Sequence, residues 1–239
     1  MITFDILTIF PEMFPGYFDS SMLGRAQKNK LIKIRVHNLR DYAKDKHKVT
    51  DDTAYGGISG MVMKVEPIYA AVKAIEIRNS KSEIRNKSKN LKISKTKTRI
   101  ILLSAKGKVL TQAHIRTLSK YDQLILIVGH YKGVDERVAK YIADEELSIG
   151  DYVITGGEVP AMIVVDAVSR MIPGVIGDPE SKKGESFSRG VRHEHPVYTR
   201  PAVFSPKKGV NWKVPPILLS GNHKKIEEWR CAQRDYSHA

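Results

Sequence analysis

The sequence predicts an α/β fold built on a mainly parallel sheet, and three observations support this. Short apolar runs alternate with stretches of helical periodicity along most of the 239 residues. Three of the later apolar runs lead into glycine-containing turns. The composition, 41% hydrophobic and 28% charged, is sufficient for a substantial core and excludes global disorder.

The first half of the chain begins with the strand "ITFDILTIF", which Pro11 ends. A short helix is expected from Ser20 to Lys28. It is followed by "LIKIRVH", where apolar and basic residues alternate as they do in a half-buried strand. The segment "VEPIYAAVKAIEI", residues 65–77, has a proline in its first turn and is predicted to be a helix.

The second half continues the alternation. "RIILLSAKG" and "QLILIVGHYKG" are predicted as buried strands that lead into glycine turns, with a helix capped by Thr111 between them. Residues 134–147 are expected to be helical, and "YVITGG", residues 152–157, is expected to be a further strand. The next helix ends at Pro173 and has one apolar face, formed by Ala161, Val164, Val165, Val168 and Met171.

The composition changes after that helix. Residues 177–192, "GDPESKKGESFSRGVR", are polar and lack periodicity, so they are expected to form a flexible linker or lid. Beyond them, a short apolar run, a turn and a helix capped by Asn222 predict a small unit. The predicted organisation is a domain of residues 1–176, the linker, and a small helical C-terminal domain of residues 193–239.

The net charge of +14 suggests a nucleic-acid partner, but the charge is unevenly distributed. From Lys73 to Arg99 there are ten lysines and arginines and two glutamates, so this tract carries +8 of the total. A solvated low-complexity insertion at residues 76–99 is one interpretation, and a basic flap over a polyanion is the other. Charge alone supports an acidic partner only weakly.

The sequence argues against secretion and against a membrane span. The N-terminal apolar run has no basic segment before it and includes Asp5, unlike a signal peptide. No run approaches the roughly 20 apolar residues that a membrane span needs. Cys231 is the one cysteine, which excludes an internal disulfide. We expect a cytoplasmic protein with no membrane interaction.

The glycine turns, Ser104–Gly107, Gly129–Gly133 and Ile149–Gly157, indicate a ligand site. In an open α/β sheet, ligands bind beyond the carboxyl ends of the strands. Glycine lets backbone groups approach a flat heterocycle with no Cβ in the way, although each glycine alone is explained as well by turn capping. Three turns at equivalent positions favour a common pocket. Phosphate-binding motifs such as GxxxxGK[ST] are absent from the sequence.

At these residues the sequence resembles the bacterial tRNA (guanine-N1)-methyltransferases, over nearly the whole chain apart from the basic tract. The motifs, in the family's order, are "FPEMF", "DDTAYGGISGMVM", "LIVGHYKGVDERV", "SIGDYVITGGEVPAM", "AVSRMIPGVIG", "HPVYTRP" and "VPPILLSGNH". That family methylates the guanosine immediately 3′ of the anticodon. The resemblance implies a SPOUT fold with a C-terminal trefoil knot in the sheet. It also implies S-adenosylmethionine as methyl donor, tRNA as partner, and a homodimer whose active site is shared between subunits.

The resemblance assigns donor binding to residues in and beside the three glycine turns. They are Leu102, Leu103, Ser104, Gly107, Gly129, Tyr131, Gly133, Ile149, Gly150, Asp151, Tyr152, Val153, Ile154, Gly156 and Gly157. It assigns tRNA contacts to Arg25, Ser220, Asn222, His223 and Arg230. For Ser220 and Asn222, helix capping is nearly as good an explanation.

Methyl transfer to guanine N1 requires loss of the N1 proton, which places negative charge on O6. The site therefore needs a carboxylate base and a cationic or N–H partner for the oxyanion. The family's arginine aligns with Arg170, for which a helical ion pair with Asp166 is the alternative. The family's aspartate base aligns with Glu185, which is one methylene longer, and Asp178 and Glu180 are rival candidates.

Two further features depart from the family pattern. Lys132 stands where the family usually has a glutamate associated with a magnesium requirement, and the reversed charge argues against Mg²⁺ there. No other His, Asp or Glu cluster has the spacing of metal ligands, so no metal site is predicted. The family's chains continue beyond the equivalent of Ala239. Any tRNA contacts made there are expected elsewhere in this protein, with the basic tract as one candidate.

The leading hypothesis is a tRNA (guanine-N1)-methyltransferase. One alternative is a non-catalytic RNA-binding SPOUT protein, which the changes at Glu185 and Lys132 favour. The other is a SPOUT methyltransferase that acts on a different RNA site.

Overall fold

The chain folds into two compact units, Met1–Gly177 and Asp178–Ala239. The structure is a computed structural model that describes residues 1–57, 59–87, 96–178, 184–188 and 191–236. The first unit contains a five-stranded sheet in which every pair of neighbouring strands is parallel. The predicted α/β class with a parallel sheet is therefore confirmed, whereas a donor-binding role for the first domain and a tRNA-binding role for the C-terminal domain, which the resemblance implies, stay predictions.

The strands of the first unit are β1 (Ile2–Thr8), β2 (Ile32–Asn38), β3 (Asp51–Thr53), β4 (Met61–Met63), β5 (Thr98–Val109), β6 (Gln123–Val128) and β7 (Glu145–Ser148). Its helices are α1 (Pro15–Phe18), α2 (Ser21–Lys28), α3 (Val65–Lys87), α4 (Gln112–Leu118), α5 (Glu136–Tyr141) and α6 (Glu158–Ser169). The main sheet has the order β2-β1-β6-β5-β7, and β3 and β4 form a separate antiparallel pair.

Both faces of the sheet are covered by helices. Because successive side chains of a strand point to opposite faces, Leu124 and Leu126 of β6 pack in one core cluster and Ile125 and Ile127 in the other. The first cluster includes residues of α2, α4 and α6, and the second includes residues of α3 and α5. This two-sided burial explains why β6 is a continuous apolar run. None of the helices described is long and apolar enough to cross a membrane.

The predicted apolar face of α6 is confirmed. Ala161, Val164, Val165 and Val168 are fully buried, and Met171 packs against the same cluster just beyond the helix. These small and β-branched side chains let α6 lie close to the sheet beside β1 and β6. The helix start is therefore held at the edge where the glycine turns lie.

Asp5 is a fully buried charged residue in the middle of β1. Its carboxylate accepts hydrogen bonds from Gln123 Nε2 at 2.6 Å and from Arg78 Nη2 at 2.9 and 3.0 Å, and it lies 2.7 Å from His37 Nε2. Burial raises the pKa of Asp5, but the hydrogen bonds from His37, Gln123 and Arg78 outweigh it and lower that pKa to about 2. Asp5 thus ties β1 to β2, β6 and α3.

Helix α3 is longer than predicted, because it continues to Lys87 and so includes the start of the expected insertion at residues 76–99. Contacts with the sheet hold this continuation. Beside the Arg78–Asp5 pair, Asn79 Nδ2 donates to Gln123 Oε1 at 2.6 Å. Thr98 Oγ1, where β5 begins, donates to the same oxygen at 3.0 Å. The two ends of the basic tract therefore meet at one side chain, while residues 88–95 lie outside the described part of the chain.

Two further predictions about secondary structure are wrong. Helix α5 ends at Tyr141 and does not extend through residues 134–147, because Asp144 joins the sheet through hydrogen bonds with the backbone of Ile100 at 2.7 and 2.9 Å. The final strand of the sheet is β7 and not residues 152–157. Residues 152–155 lie exposed in a loop, and their aromatic and β-branched side chains followed by two glycines resemble a strand that leads into a turn.

The second unit contains β8 (Val191–His193), β9 (Val203–Lys207), β10 (Val210–Lys213), α7 (His223–Gln233) and β11 (Asp235–Tyr236). The expected helical domain thus also has two antiparallel strand pairs, β9–β10 and β8–β11. The predicted cap of α7 is confirmed, since Asn222 Oδ1 accepts a hydrogen bond from Lys225 N at 3.1 Å. Of the predicted linker, residues 184–188 form a turn in which Ser188 N donates to Glu185 O at 3.1 Å.

Candidate active site

The carboxyl ends of β6 and β7 lie on either side of β5, and the loops that follow β6 and β7 line a cavity of about 340 Å³ together with β5. The predicted glycine turn Ser104–Gly107 is a bulge within β5 and does not end that strand. All of the residues assigned to donor binding line it except Gly107, Gly150 and Asp151. The volume is in the range of small-molecule sites. The structure therefore brings the three glycine turns together at one edge of the sheet.

Three of the glycines are needed because the chain passes close to itself. A Cβ at Gly107 would lie 2.4 Å from Leu147 N, where β5 bulges beside β7. A Cβ at Gly157 would lie 3.1 Å from Gly129 N. A Cβ at Gly156 would lie 2.3 Å from a carboxylate oxygen of Glu158. These glycines permit the crossing of the loops, which is a role beyond exposing backbone to a ligand.

The loop after β7 forms one wall of the cavity. Its side chains Tyr152, Val153 and Ile154 are exposed, with Val153 90% exposed, although they belong to an apolar run. The backbone N–H groups of Val153 and Ile154 have no hydrogen-bond partner within the described residues. Gly150 lies under the Tyr152 ring, since a Cβ there would be 2.5 Å from that ring. The loop thus presents apolar side chains to the cavity together with backbone N–H groups that have no partner among the described residues.

The loop after β6 is held by the motif "DDTAYGGISGMVM". Lys132 N donates to Met61 O at 3.0 Å, and Gly133 O and Met63 O each accept a backbone hydrogen bond at 3.0 Å. Tyr131 has a positive φ of 59°, which the tight turn requires. Lys132 is exposed. Within the ranges that the structure describes, no three His, Cys, Asp or Glu residues come together as a metal site.

A group of three polar residues, one of which lines this cavity, was not predicted. Thr8 Oγ1 donates to Glu158 Oε1 at 3.0 Å, and Glu158 Oε2 lies 3.6 Å from His130 Nδ1. Glu158 is 2% exposed, and His130 is among the residues that line the cavity. His130 sits inside a predicted glycine turn, which is a signal, but nothing local in the sequence relates it to Thr8.

The two predicted catalytic residues lie in different units. Arg170 is half-buried and follows the last residue of α6 in the first unit. Its alternative partner, Asp166, accepts a hydrogen bond from Tyr17 Oη at 2.6 Å. Glu185 is half-buried in the turn of residues 184–188 in the second unit. The rival Asp178 is exposed, and Glu180 lies outside the described residues.

The residues assigned to tRNA contacts are divided in the same way. Arg25 is exposed on α2, and the other four lie in the second unit. Ser220 Oγ donates to Ile217 O at 2.7 Å and accepts from Asn222 N at 3.2 Å, so both polar residues support the start of α7. His223 and Arg230 line a cavity of about 310 Å³ together with His195, Tyr198 and Trp229.

Comparisons with known proteins agree with this geometry. The family profile described as tRNA (Guanine-1)-methyltransferase TrmD matches residues 2–237. A tRNA (guanine-N(1)-)-methyltransferase of Dictyoglomus turgidum is 50% identical over 96% of this chain and 84% of its own. One from Endomicrobium trichonymphae is 46% identical over 96% of this chain and 92% of its own.

Among solved structures, the tRNA (m1G37) methyltransferase from Aquifex aeolicus superposes with a TM-score of 0.71 at 36% identity. The superposition covers 95% of this chain and 87% of that one. The family profile thus matches, almost from end to end, a chain that has a parallel sheet with a cavity at the carboxyl end of the sheet. The chain belongs to the TrmD family of tRNA (guanine-1)-methyltransferases.

Proposed function

We propose that this protein transfers a methyl group from S-adenosylmethionine to N1 of the guanosine immediately 3′ of the anticodon in tRNA. The observation that carries the proposal is the meeting of the three glycine turns around one cavity, in a chain that belongs to this family throughout its length. The relatives at 45–50% identity are named for this reaction.

The cavity fits the methyl donor. Leu102 and Leu103, each 4% exposed, give it an apolar floor. The unpaired N–H groups of Val153 and Ile154 are suited to the acceptor edge of an adenine, and Tyr152 to its face. When bound, S-adenosylmethionine supplies a methyl group that its sulfonium already makes electrophilic. The protein therefore has to orient the donor and need not activate it.

The acceptor is where side-chain chemistry is needed. The target guanosine must leave its stack before N1 can be reached. Glu185 is the proposed base for the N1 proton, and Arg170 the proposed partner for the charge that develops on O6. Both groups must be positioned within about an ångström, because a displacement of that size costs roughly a hundredfold in rate. The half-buried turn that contains Glu185 limits how far its longer side chain can move.

The second unit is proposed to bind tRNA. Residues 178–239 contain twelve lysines and arginines against seven aspartates and glutamates, which favours a phosphate backbone. The cavity beside α7 adds aromatic rings, Tyr198 and Trp229, next to the basic Arg230. Aromatic rings of this kind stack on unpaired bases. The cytoplasmic location expected from the sequence stays a prediction.

A homodimer and a trefoil knot are the remaining parts of the proposal. Val159 and Ile163, 49% and 39% exposed, are four residues apart on α6 and so lie on one face, which suits contact with a second copy. The knot is supported by the close crossing of the loops. Gly157 N donates to Gly129 O at 2.8 Å, and Gly107 leaves no space for a side chain beside β7.

A single assay tests the reaction. The protein is incubated with labelled S-adenosylmethionine and with paired tRNA transcripts that differ only in having, or lacking, guanosine after the anticodon. Label is expected on the guanosine-containing transcript alone, at N1. No label on either transcript would favour the non-catalytic RNA-binding alternative, and label at another position would favour a different RNA site. Either result would contradict the proposal.

A further inference from the structure

Behind His130, which lines the cavity, lies a carboxylate that the proposed mechanism does not use. Glu158 is the first residue of α6 and is almost completely buried. One of its oxygens accepts the hydrogen bond from Thr8. The other lies 3.6 Å from His130 Nδ1, which is just beyond hydrogen-bond distance. A charge buried in this way is normally paired, so the imidazole is its expected partner.

The imidazole nitrogen that faces Glu158 also lacks a hydrogen-bond partner among the described residues. His130 Nδ1 is buried and makes no hydrogen bond within the described residues. Buried polar nitrogens of this kind are rare and call for an explanation. A movement of roughly half an ångström would complete a hydrogen bond from Nδ1–H to Glu158 Oε2. The buried nitrogen and the carboxylate oxygen therefore face each other across a gap that a small adjustment closes.

Gly156 provides the space for this pair. A Cβ built on Gly156 would lie 2.3 Å from Glu158 Oε2 and 2.4 Å from His130 Nδ1. Any side chain at this position would thus force the carboxylate and the imidazole apart. The backbone of Gly156 also forms an isolated β-bridge with His130. The glycine holds the pair together and leaves room for it.

The other ring nitrogen is left for a ligand. His130 Nε2 makes no hydrogen bond to any described residue. Unlike Nδ1, it is not one of the buried atoms without a partner, and His130 lines the cavity. The ring lies edge-on to Phe10 and to Tyr131, each at 4.9 Å between centroids, which restricts its rotation. When a carboxylate accepts from Nδ1–H, the neutral imidazole offers Nε2 as a hydrogen-bond acceptor.

We propose that His130 is a further donor-binding residue and that Glu158 is its positioning residue. Glu158 keeps the proton on Nδ1, so that Nε2 accepts a hydrogen bond from a hydroxyl or ammonium group of the bound methyl donor. This inference rests on the proposed function, because it takes S-adenosylmethionine as the ligand of the cavity. It extends the donor site to side chains that the motifs did not assign.

Titration calorimetry with S-adenosylmethionine tests the proposal on matched variants of the full chain. His130→Asn keeps a polar atom near Nδ1 and removes Nε2, whereas His130→Gln places a polar atom near Nε2. One hydrogen bond is worth up to about tenfold in affinity. We therefore expect Kd to rise roughly tenfold in His130→Asn and in Glu158→Gln, and by less than about threefold in His130→Gln. Equal affinity of His130→Asn and the parent would overturn the proposal.

The double variant His130→Asn/Glu158→Gln separates positioning from simple support of the fold. If Glu158 acts through His130, the double variant binds no more weakly than His130→Asn alone. Losses that multiply would show two independent effects and would contradict the proposal. Melting temperatures of all variants identify any loss of folding. If Glu158→Gln does not fold, Glu158→Asp withdraws the carboxylate from His130 and is expected to weaken donor binding similarly.

Two further readouts complete the test. Nitrogen-15 spectra of the histidines, with His130→Asn as the assignment control, are expected to show the Nδ1–H form at His130 and its loss in Glu158→Gln.

5′-Methylthioadenosine keeps the ribose hydroxyls and lacks the ammonium group. It identifies the ribose as the partner if its binding also weakens in His130→Asn, and the ammonium if it does not. A parent chain that binds no S-adenosylmethionine would reject the proposed function itself, whereas a binding parent with insensitive variants would reject this inference alone.

Discussion

Replacing Asp5 with asparagine is expected to lower the free energy of unfolding by about 2–3 kcal/mol at pH 7. The pKa of Asp5 is lowered from 3.8 to about 2 in the folded protein, and each pKa unit corresponds to about 1.4 kcal/mol. Asparagine keeps the shape of the side chain but removes the charge that Arg78 and His37 face. The loss therefore combines the removed charge with one acceptor oxygen replaced by an NH2 group that faces other donors, and only the part due to the charge depends on pH.

The same argument predicts the pH dependence. A carboxylate with a lowered folded-state pKa contributes its full stability above pH 3.8 and loses it as the pH falls through about 2. At pH 3, roughly half of the contribution of Asp5 should remain. Urea titrations of the parent and Asp5→Asn at pH 7 and pH 3, at fixed protein concentration and followed by circular dichroism, measure this difference.

Asp19→Asn is the matched control, because Asp19 is exposed and its side chain makes no hydrogen bond or ion pair within the described residues. Its effect should stay within about 0.5 kcal/mol at both pH values. An effect of Asp5→Asn no larger than that of the control would refute the reasoning. So would a difference between parent and Asp5→Asn that is as large at pH 3 as at pH 7.

Three more perturbations have definite expected results. Glu185→Gln should abolish methyl transfer while S-adenosylmethionine binds as before; turnover near the parent rate would remove Glu185 from the mechanism. Gly107→Ala should destabilise the protein by about 1–3 kcal/mol in thermal unfolding, because the added Cβ meets the backbone of β7. The control Gly16→Ala, which has open space around it, should change stability by less than about 0.5 kcal/mol. The hydrogen bond to Asp166 raises the pKa of Tyr17 to about 12, so an absorbance titration should show a late-ionising tyrosine that Asp166→Asn removes; an unchanged titration would show that the bond does not form in solution.

The sequence was informative where burial leaves a pattern. Strands β5 and β6 were predictable because a strand covered on both faces is apolar at successive positions. Strand β7 was not, because it is short and begins with two half-buried glutamates, Glu145 and Glu146, which match a helical pattern equally well. Glu145 is compensated in the fold by Arg99 at 2.9 Å and His114 at 3.0 Å. Those partners are distant in sequence, and no local pattern reveals them.

The candidate site likewise has one part that the sequence predicts and one part that it does not. Its glycine turns were predictable, because glycine spacing and motif order are local properties of the chain. The Thr8–Glu158–His130 group was not, since it joins β1 to α6 across 150 positions. The continuation of α3 was missed for a related reason. Its hydrogen bonds with Asp5 and Gln123 hold a helix where composition alone indicated a polar insertion.

The meeting of Asn79 and Thr98 on the oxygen of Gln123 has a practical consequence. A segment whose two ends are fixed at one point can change in length at a small cost, since the entropy of closing a loop grows only with the logarithm of its length. This point lies where β6 begins, at the end of the strand opposite the cavity. Changes of length between these two anchors should therefore leave the donor cavity intact, whatever the basic tract contributes to tRNA binding.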